Sequence, residues 1–202
     1  TIDNGDAKAE ISLFGAHVLR YQRHSEPASL WLSDKAVLDG SKPIRGGIPL
    51  CWPWFGPAPA RVGSGKPAHG FARTSLWTLD GVSDHGDGTL VHLSLRDTAA
   101  SRALWPHAFE LELDVLVGKE LSLVLTTRNT GKTPLTYNAA LHTYLQISAP
   151  EAVSVTGLGE PYADKLTGQD GQQQGALTLI AAIDRVYHQA GAMVMVKDGD
   201  RT

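Results

Sequence analysis

The chain has 202 residues, a mass of 21.6 kDa and a net charge of −3 from 18 basic and 21 acidic side chains, which fits one globular domain or two small ones and argues against repeat arrays and coiled coils. Hydrophobic residues make up 42% and charged ones 19%, so material for a core is present, but the basic patches that nucleic acid or an anionic membrane would need are not. Cys51, the one cysteine, excludes an internal disulfide framework, no apolar run approaches the ~20 residues of a membrane helix, and residues 1–6 open no signal peptide; the expectation is a cytoplasmic protein, monomeric by default, with neither nucleic acid nor membrane as partner.

The 21 glycines and 11 prolines separate short runs of alternating polarity, so the chain reads as mainly β. Residues 8–14 and 17–22 alternate on either side of Gly15, a bent or bulged strand pair. Residues 39–68 carry no clean period and six prolines, and are expected to form an ordered loop packed over a sheet, because Trp52, Trp54 and Phe55 argue against disorder. Residues 75–82 and 90–95 flank Asp87-Gly88, and residues 109–117 and 121–127 flank Gly118-Lys119, two hairpins. In the second, Leu111, Leu113, Val115 and Val117 face one way and Glu110, Glu112 and Asp114 the other. Residues 135–148, 153–156 and 192–197 are further strands, and 177–187 fits either a broken strand or a short helix. The run at 192–197 ends in the turn signal Asp198-Gly199-Asp200 and is expected to lack a hairpin partner.

Several side chains suit binding or proton transfer. His69, in Ala68-His69-Gly70-Phe71-Ala72-Arg73, lies at a loop end just before a strand. Arg45, in Ile44-Arg45-Gly46-Gly47, and Arg73 belong to turn-rich backbone; two arginines near a histidine suit an anionic oxygen ligand, unless they merely pair with Asp34 and Asp39. Alternation places His142 with Ala140 and Tyr144 on one face of an apolar run, either as a buried core imidazole or as a proton carrier facing a ligand. Asp164 lies in a turn-rich segment, where a carboxylate either binds hydroxyls or caps its own turn. Trp52, Trp54 and Trp77 are either a floor for a sugar ring or plain core, and Cys51, between Leu50 and Trp52, reads as a small buried hydrophobe. No metal-ligand spacing or phosphate loop is present, so no metal and no cofactor is expected.

Taken in order, Gly15-Ala16-His17-Val18, Leu30-Trp31-Leu32-Ser33, Ile44-Arg45-Gly46-Gly47-Ile48-Pro49 with Cys51-Trp52-Pro53-Trp54-Phe55-Gly56, His69-Gly70-Phe71-Ala72-Arg73, Leu141-His142-Thr143-Tyr144 and Asp184-Arg185-Val186-Tyr187 resemble the aldose 1-epimerase superfamily, most closely its hexose-6-phosphate mutarotase branch. The resemblance implies an antiparallel β sandwich, the galactose-mutarotase-like supersandwich, whose concave face binds a hexose. It further implies an isomerase in which His142 protonates the ring oxygen while a glutamate takes the proton of the anomeric hydroxyl. His69 and Asp164 would bind the sugar, and Arg45 and Arg73 the phosphate of a hexose 6-phosphate.

The sequence departs from the family at the base. None of Glu10, Glu26, Glu110, Glu112, Glu120, Glu151 or Glu160 sits in the matching context, so the general base is expected outside these residues. The chain is accordingly expected to be a single galactose-mutarotase-like domain, 1–202, incomplete at its C-terminus. The competing expectations are a catalytically silent carbohydrate-binding or regulatory domain of the same fold, or a purely structural β module.

Overall fold

In the computed structural model of the chain, which describes residues 1–199 and 201, the alternating runs become strands, and every strand pairing described is antiparallel. The residues form two compact units, Thr1–Gln146 and Ile147–Thr202. No helix among the described residues is long and apolar enough to cross a membrane.

In the first unit, β1 (Ile2–Asp3), β2 (Ala7–Ser12) and β3 (His17–Arg23) form one sheet. Its ladder shifts register between Glu10 and Ile11, the bulge that the interrupted alternation predicts. The short strand β4 (Leu50–Cys51) is followed by β5 (Thr78–Asp84) and β6 (Gly88–Arg96), then by helix α1 (Ala99–Leu104), β7 (Phe109–Gly118) and β8 (Leu121–Asn129). Strands β5 to β8 lie side by side in chain order, so both expected hairpins form.

Leu111, Leu113, Val115 and Val117 are at most 1% exposed. They pack with Ala7, Ala9, Val18 and Tyr21 of the facing sheet in one core, each burial worth roughly 1.5–3 kcal/mol. Two hydrogen bonds pin the sheets together at one end: Tyr21 Oη donates to the Gly118 carbonyl at 2.9 Å and Asn4 Nδ2 to that of Val117 at 2.6 Å. The result is a β sandwich.

Two features differ from the sequence expectation in this unit. The stretch 39–68 is ordered and packs Ile48, Leu50, Trp52 and Trp54 into the core cluster that holds Phe109 and Leu111 of β7, but it also contains a short strand, β4, that was not expected. Pro49 and Pro53 remove ladder donors, which limits regular pairing to β4 and isolated bridges such as Val18–Ile48 and Trp52–Gly70. Helix α1 was not anticipated; the Thr98 and Ser101 side chains each bond the other's backbone N–H, a capping box.

Of the expected strand 135–148, only β9 (Ala140–Leu141) is regular. Around it, backbone N–H groups of Asn138, His142, Tyr144 and Gln146 donate to the carbonyls of Pro53, Pro49, Gly47 and Ser29, so the pairing is carried by single bonds on either side of a short strand.

The second unit holds β10 (Val153–Thr156), β11 (Pro161–Asp164), β12 (Gln169–Gln172), β13 (Leu177–Thr178), β14 (Arg185–Tyr187) and β15 (Met195–Asp198). They form two three-stranded sheets, β13-β10-β15 and β12-β11-β14. The run expected to lack a partner is β15, and it pairs with β10 from Val153↔Asp198 to Thr156↔Met195; a non-local partner took the place of the hairpin. Residues 177–187 resolve as a broken strand, β13 and β14, with no helix between them.

Candidate functional site

Strand β9 and its extension run antiparallel to residues 47–51. Leu141 pairs with Leu50, His142 N–H donates to the Pro49 carbonyl at 3.0 Å and Tyr144 N–H to that of Gly47 at 2.9 Å. Alternation then sets the His142 and Tyr144 rings side by side, 5.0 Å between centroids. Trp31, whose N–H donates to the Tyr144 carbonyl, packs on the far side of Tyr144 at 5.8 Å. The Arg45 guanidinium lies 6.0 Å over the Trp31 ring, a cation–π geometry.

On the other side of His142 stand Phe55 at 5.8 Å and His69 at 6.1 Å. Phe55 is held by its N–H, which donates to Asn138 Oδ1 at 2.6 Å. His69 is held twice: its N–H donates to the Gly56 carbonyl at 2.7 Å, and its Nδ1 accepts the Gly56 N–H at 3.1 Å. A neutral His69 therefore carries its proton on Nε2. His69 is also one of three non-glycine residues with positive φ, at 65°, and such conformations concentrate at functional positions. The next residue must be glycine, because a Cβ on Gly70 would stand 2.0 Å from the Trp52 carbonyl oxygen.

The arginines do not take Asp34 or Asp39 as partners. Arg45 is exposed over Trp31, and Arg73 is half-buried and donates from Nη2 to the Ala68 carbonyl at 3.0 Å, next to His69. The first unit thus brings His142, His69 and Arg45 into one line of rings with Phe55, Tyr144 and Trp31, and Arg73 is tied to the His69 loop.

Asp164 belongs to the second unit. Its Oδ1 accepts the Leu166 and Thr167 N–H groups, and its Oδ2 pairs with Arg185 Nε at 3.2 Å. These bonds, the Thr167 one foremost, hold its carboxyl below the usual carboxylate range. It caps its own turn, the plainer of the two readings its sequence context allows.

The tryptophans expected as floor or core are core: Trp52, Trp54 and Trp77 are at most 2% exposed. Their place beside the histidines is taken by Phe55, Trp31 and Tyr144, which sequence reasoning did not nominate; Tyr144 was within reach, being on the same alternating face as His142. Cys51 is buried, and burial pushes its thiol pKa up, so it is a poor nucleophile. Glu10, Glu26, Glu110 and Glu112 are ion-paired with Arg20, Arg23, Arg96 and Arg128. Among the described residues no three His, Cys, Asp or Glu side chains converge as a metal site.

The family model for aldose 1-epimerase matches residues 1–202. A protein of Escherichia coli described as "Putative glucose-6-phosphate 1-epimerase" is 37% identical over 188 residues, 92% of this chain and 62% of that one; its counterpart of the same description in Salmonella typhimurium is 34% identical over 98% of this chain and 65% of that one. This chain therefore spans somewhat under two thirds of the length of these relatives. The crystal structure titled as a "putative mutarotase (YeaD)" from Salmonella typhimurium superposes with a TM-score of 0.90 at 34% identity, covering 98% of this chain and 65% of that one. A galactose mutarotase-like protein from Lactobacillus casei, 18% identical, shares the fold at a TM-score of 0.68 over 94% of this chain and 67% of that one. By the match along its whole length, the chain belongs to the aldose 1-epimerase family.

Proposed function

We propose that this chain carries the acid and the substrate-recognition part of a mutarotase that interconverts the α and β anomers of a hexose 6-phosphate. The observation that carries the reading is the line from Arg45 through Trp31 and Tyr144 to His142, with His69 beside it. An anion-binding cation and a proton carrier are joined by aromatic faces, and aromatic faces suit the C–H side of a pyranose. The names of the relatives support the same substrate class.

In this reading His142 gives a proton to the ring oxygen as the C1–O5 bond breaks, and the C1 hydroxyl loses its proton to a base. The resulting aldehyde turns about C1–C2, and O5 attacks its other face; C1 is inverted and every proton is returned. His69 binds a sugar hydroxyl, and Arg45 and Arg73 take the phosphate. No glutamate of this chain is assigned as the base. Asp164 is given the role of binding a sugar hydroxyl, by the acceptor capacity its carboxylate keeps beyond its bonds to Leu166, Thr167 and Arg185. A cytoplasmic location goes with the reading, because a phosphorylated hexose does not cross a bilayer unaided.

Selectivity tests it. Arg45→Ala and Arg73→Ala should each weaken glucose 6-phosphate binding about tenfold or more, the scale of one lost charge-assisted pair, with a much smaller effect on glucose. Equal losses for the two sugars would contradict the assignment of the arginines.

A further inference from the structure

His17 has no part in the site as described, yet it is the one histidine that is fully buried. Its Nε2 lies 2.7 Å from the Gly46 carbonyl oxygen. A carbonyl only accepts, so Nε2 carries the proton and a neutral ring keeps its lone pair on Nδ1. The bond holds the residue that follows Arg45.

Contact with that turn is close: a Cβ on Gly47 would stand 2.3 Å from the Val18 carbonyl oxygen and 2.9 Å from His17 Nε2. The chain leading into His17 also abuts Arg73, because a Cβ on Gly15 would stand 2.6 Å from the Arg73 carbonyl oxygen, and Gly15 N–H donates to the Ser75 carbonyl at 2.8 Å.

Two buried atoms remain without a hydrogen-bond partner in this region, His17 Nδ1, an acceptor, and Arg73 Nε, a donor. Their chemistry is complementary, and leaving both unsatisfied costs free energy that a bond between them would recover. Burial, aided by the Arg73 charge and opposed by the Gly46 bond, lowers the His17 pKa to about 4, so near neutral pH the ring offers a lone pair.

We propose that His17 is a positioning residue for both arginines: Nε2–H fixes the Arg45 turn through Gly46, and Nδ1 receives Arg73 Nε–H when an anionic oxygen ligand draws the two guanidiniums together. The inference rests on the reading that Arg45 and Arg73 bind the phosphate.

The test is calorimetric titration of the full chain with glucose 6-phosphate and with glucose, for the parent, His17→Leu, His17→Gln, Arg45→Ala and Arg73→Ala. His17→Leu should weaken glucose 6-phosphate binding about tenfold and by at least several times more than it weakens glucose binding. His17→Gln, whose amide N–H can still reach Gly46, should recover most of the loss. Equal losses for the two sugars, or a His17→Leu protein that binds glucose 6-phosphate like the parent, would overturn the proposal.

If His17→Leu does not fold, the long-range ¹H–¹⁵N spectrum of the parent imidazole at pH 7 decides: a neutral ring protonated on Nε2 supports the proposal, and a ring protonated on Nδ1 overturns it. The arginine variants separate the two levels. If they lose phosphate selectivity while the His17 variants keep it, the His17 inference alone falls; if they too keep it, the reading of the arginines falls with it.

Discussion

His142 and His69 reach the same place by different routes, and the difference can be measured. His142 is delivered by a strand, whereas His69 depends on a positive φ of 65° and on two bonds to Gly56. His69→Ala and His69→Gly both remove the ring, but only glycine adopts that φ without penalty. In urea unfolding the glycine variant should be about 1 kcal/mol more stable than the alanine variant; alanine equal to or above glycine would show that the positive φ carries no strain.

His17 makes a second prediction at this scale. Its folded pKa of about 4 lies below the value of ~6.5 for an unfolded histidine, so between those limits the unfolded state binds more protons. The parent should therefore lose stability as pH falls from about 6.5 to 4, by roughly 3 kcal/mol from this residue, and level off below. His17→Gln should lack that component, which denaturant curves at pH 7, 5.5 and 4.5 would reveal.

Among elements, period two carries most of the information. It announced the two hairpins, because cross-strand neighbours there are close in sequence and one face is dry. Leu113, 1% exposed on β7, should cost about 2–5 kcal/mol as Leu113→Ala, whereas Val124→Ala on β8, where the side chain is 55% exposed, should stay within about 0.5 kcal/mol. Thermal unfolding of the pair checks the assignment of faces.

The stretch 39–68 holds a short strand, β4, that its sequence does not announce, and the reason is physical. Residues 46–54 are all buried, so burial on both faces leaves no period of two to read, and the partners of this stretch, Val18, Gly70 and Leu141, are far away in the chain. The same non-locality hid His17, whose bond to Gly46 spans 29 residues, and the pairing of β15 with β10. Gly70→Ala probes the corner that these contacts build: with 2.0 Å to the Trp52 oxygen, the backbone must move, and a loss of about 3 kcal/mol or more is expected.

For the whole molecule, a family resemblance read from six motifs and a match along residues 1–202 agree. Local context put forward His69, His142, Arg45 and Arg73 and the family resemblance gave them roles, but neither could say what stood between them; the fold supplies Phe55, Tyr144 and Trp31. Asp164 belongs to the second unit, where it is committed to Arg185 and its own turn.

The central proposal is that this chain supplies the acid, His142, and the recognition part of a hexose 6-phosphate mutarotase. Two-dimensional exchange NMR of the anomeric protons of glucose 6-phosphate tests it most directly, run with the parent chain and with a folded His142→Ala variant. The account predicts faster α/β exchange with the parent, with water taking the C1 hydroxyl proton where the chain supplies no base, and loss of that acceleration in the variant. Exchange equally fast with both proteins, or no acceleration by the parent despite saturable binding, would contradict it.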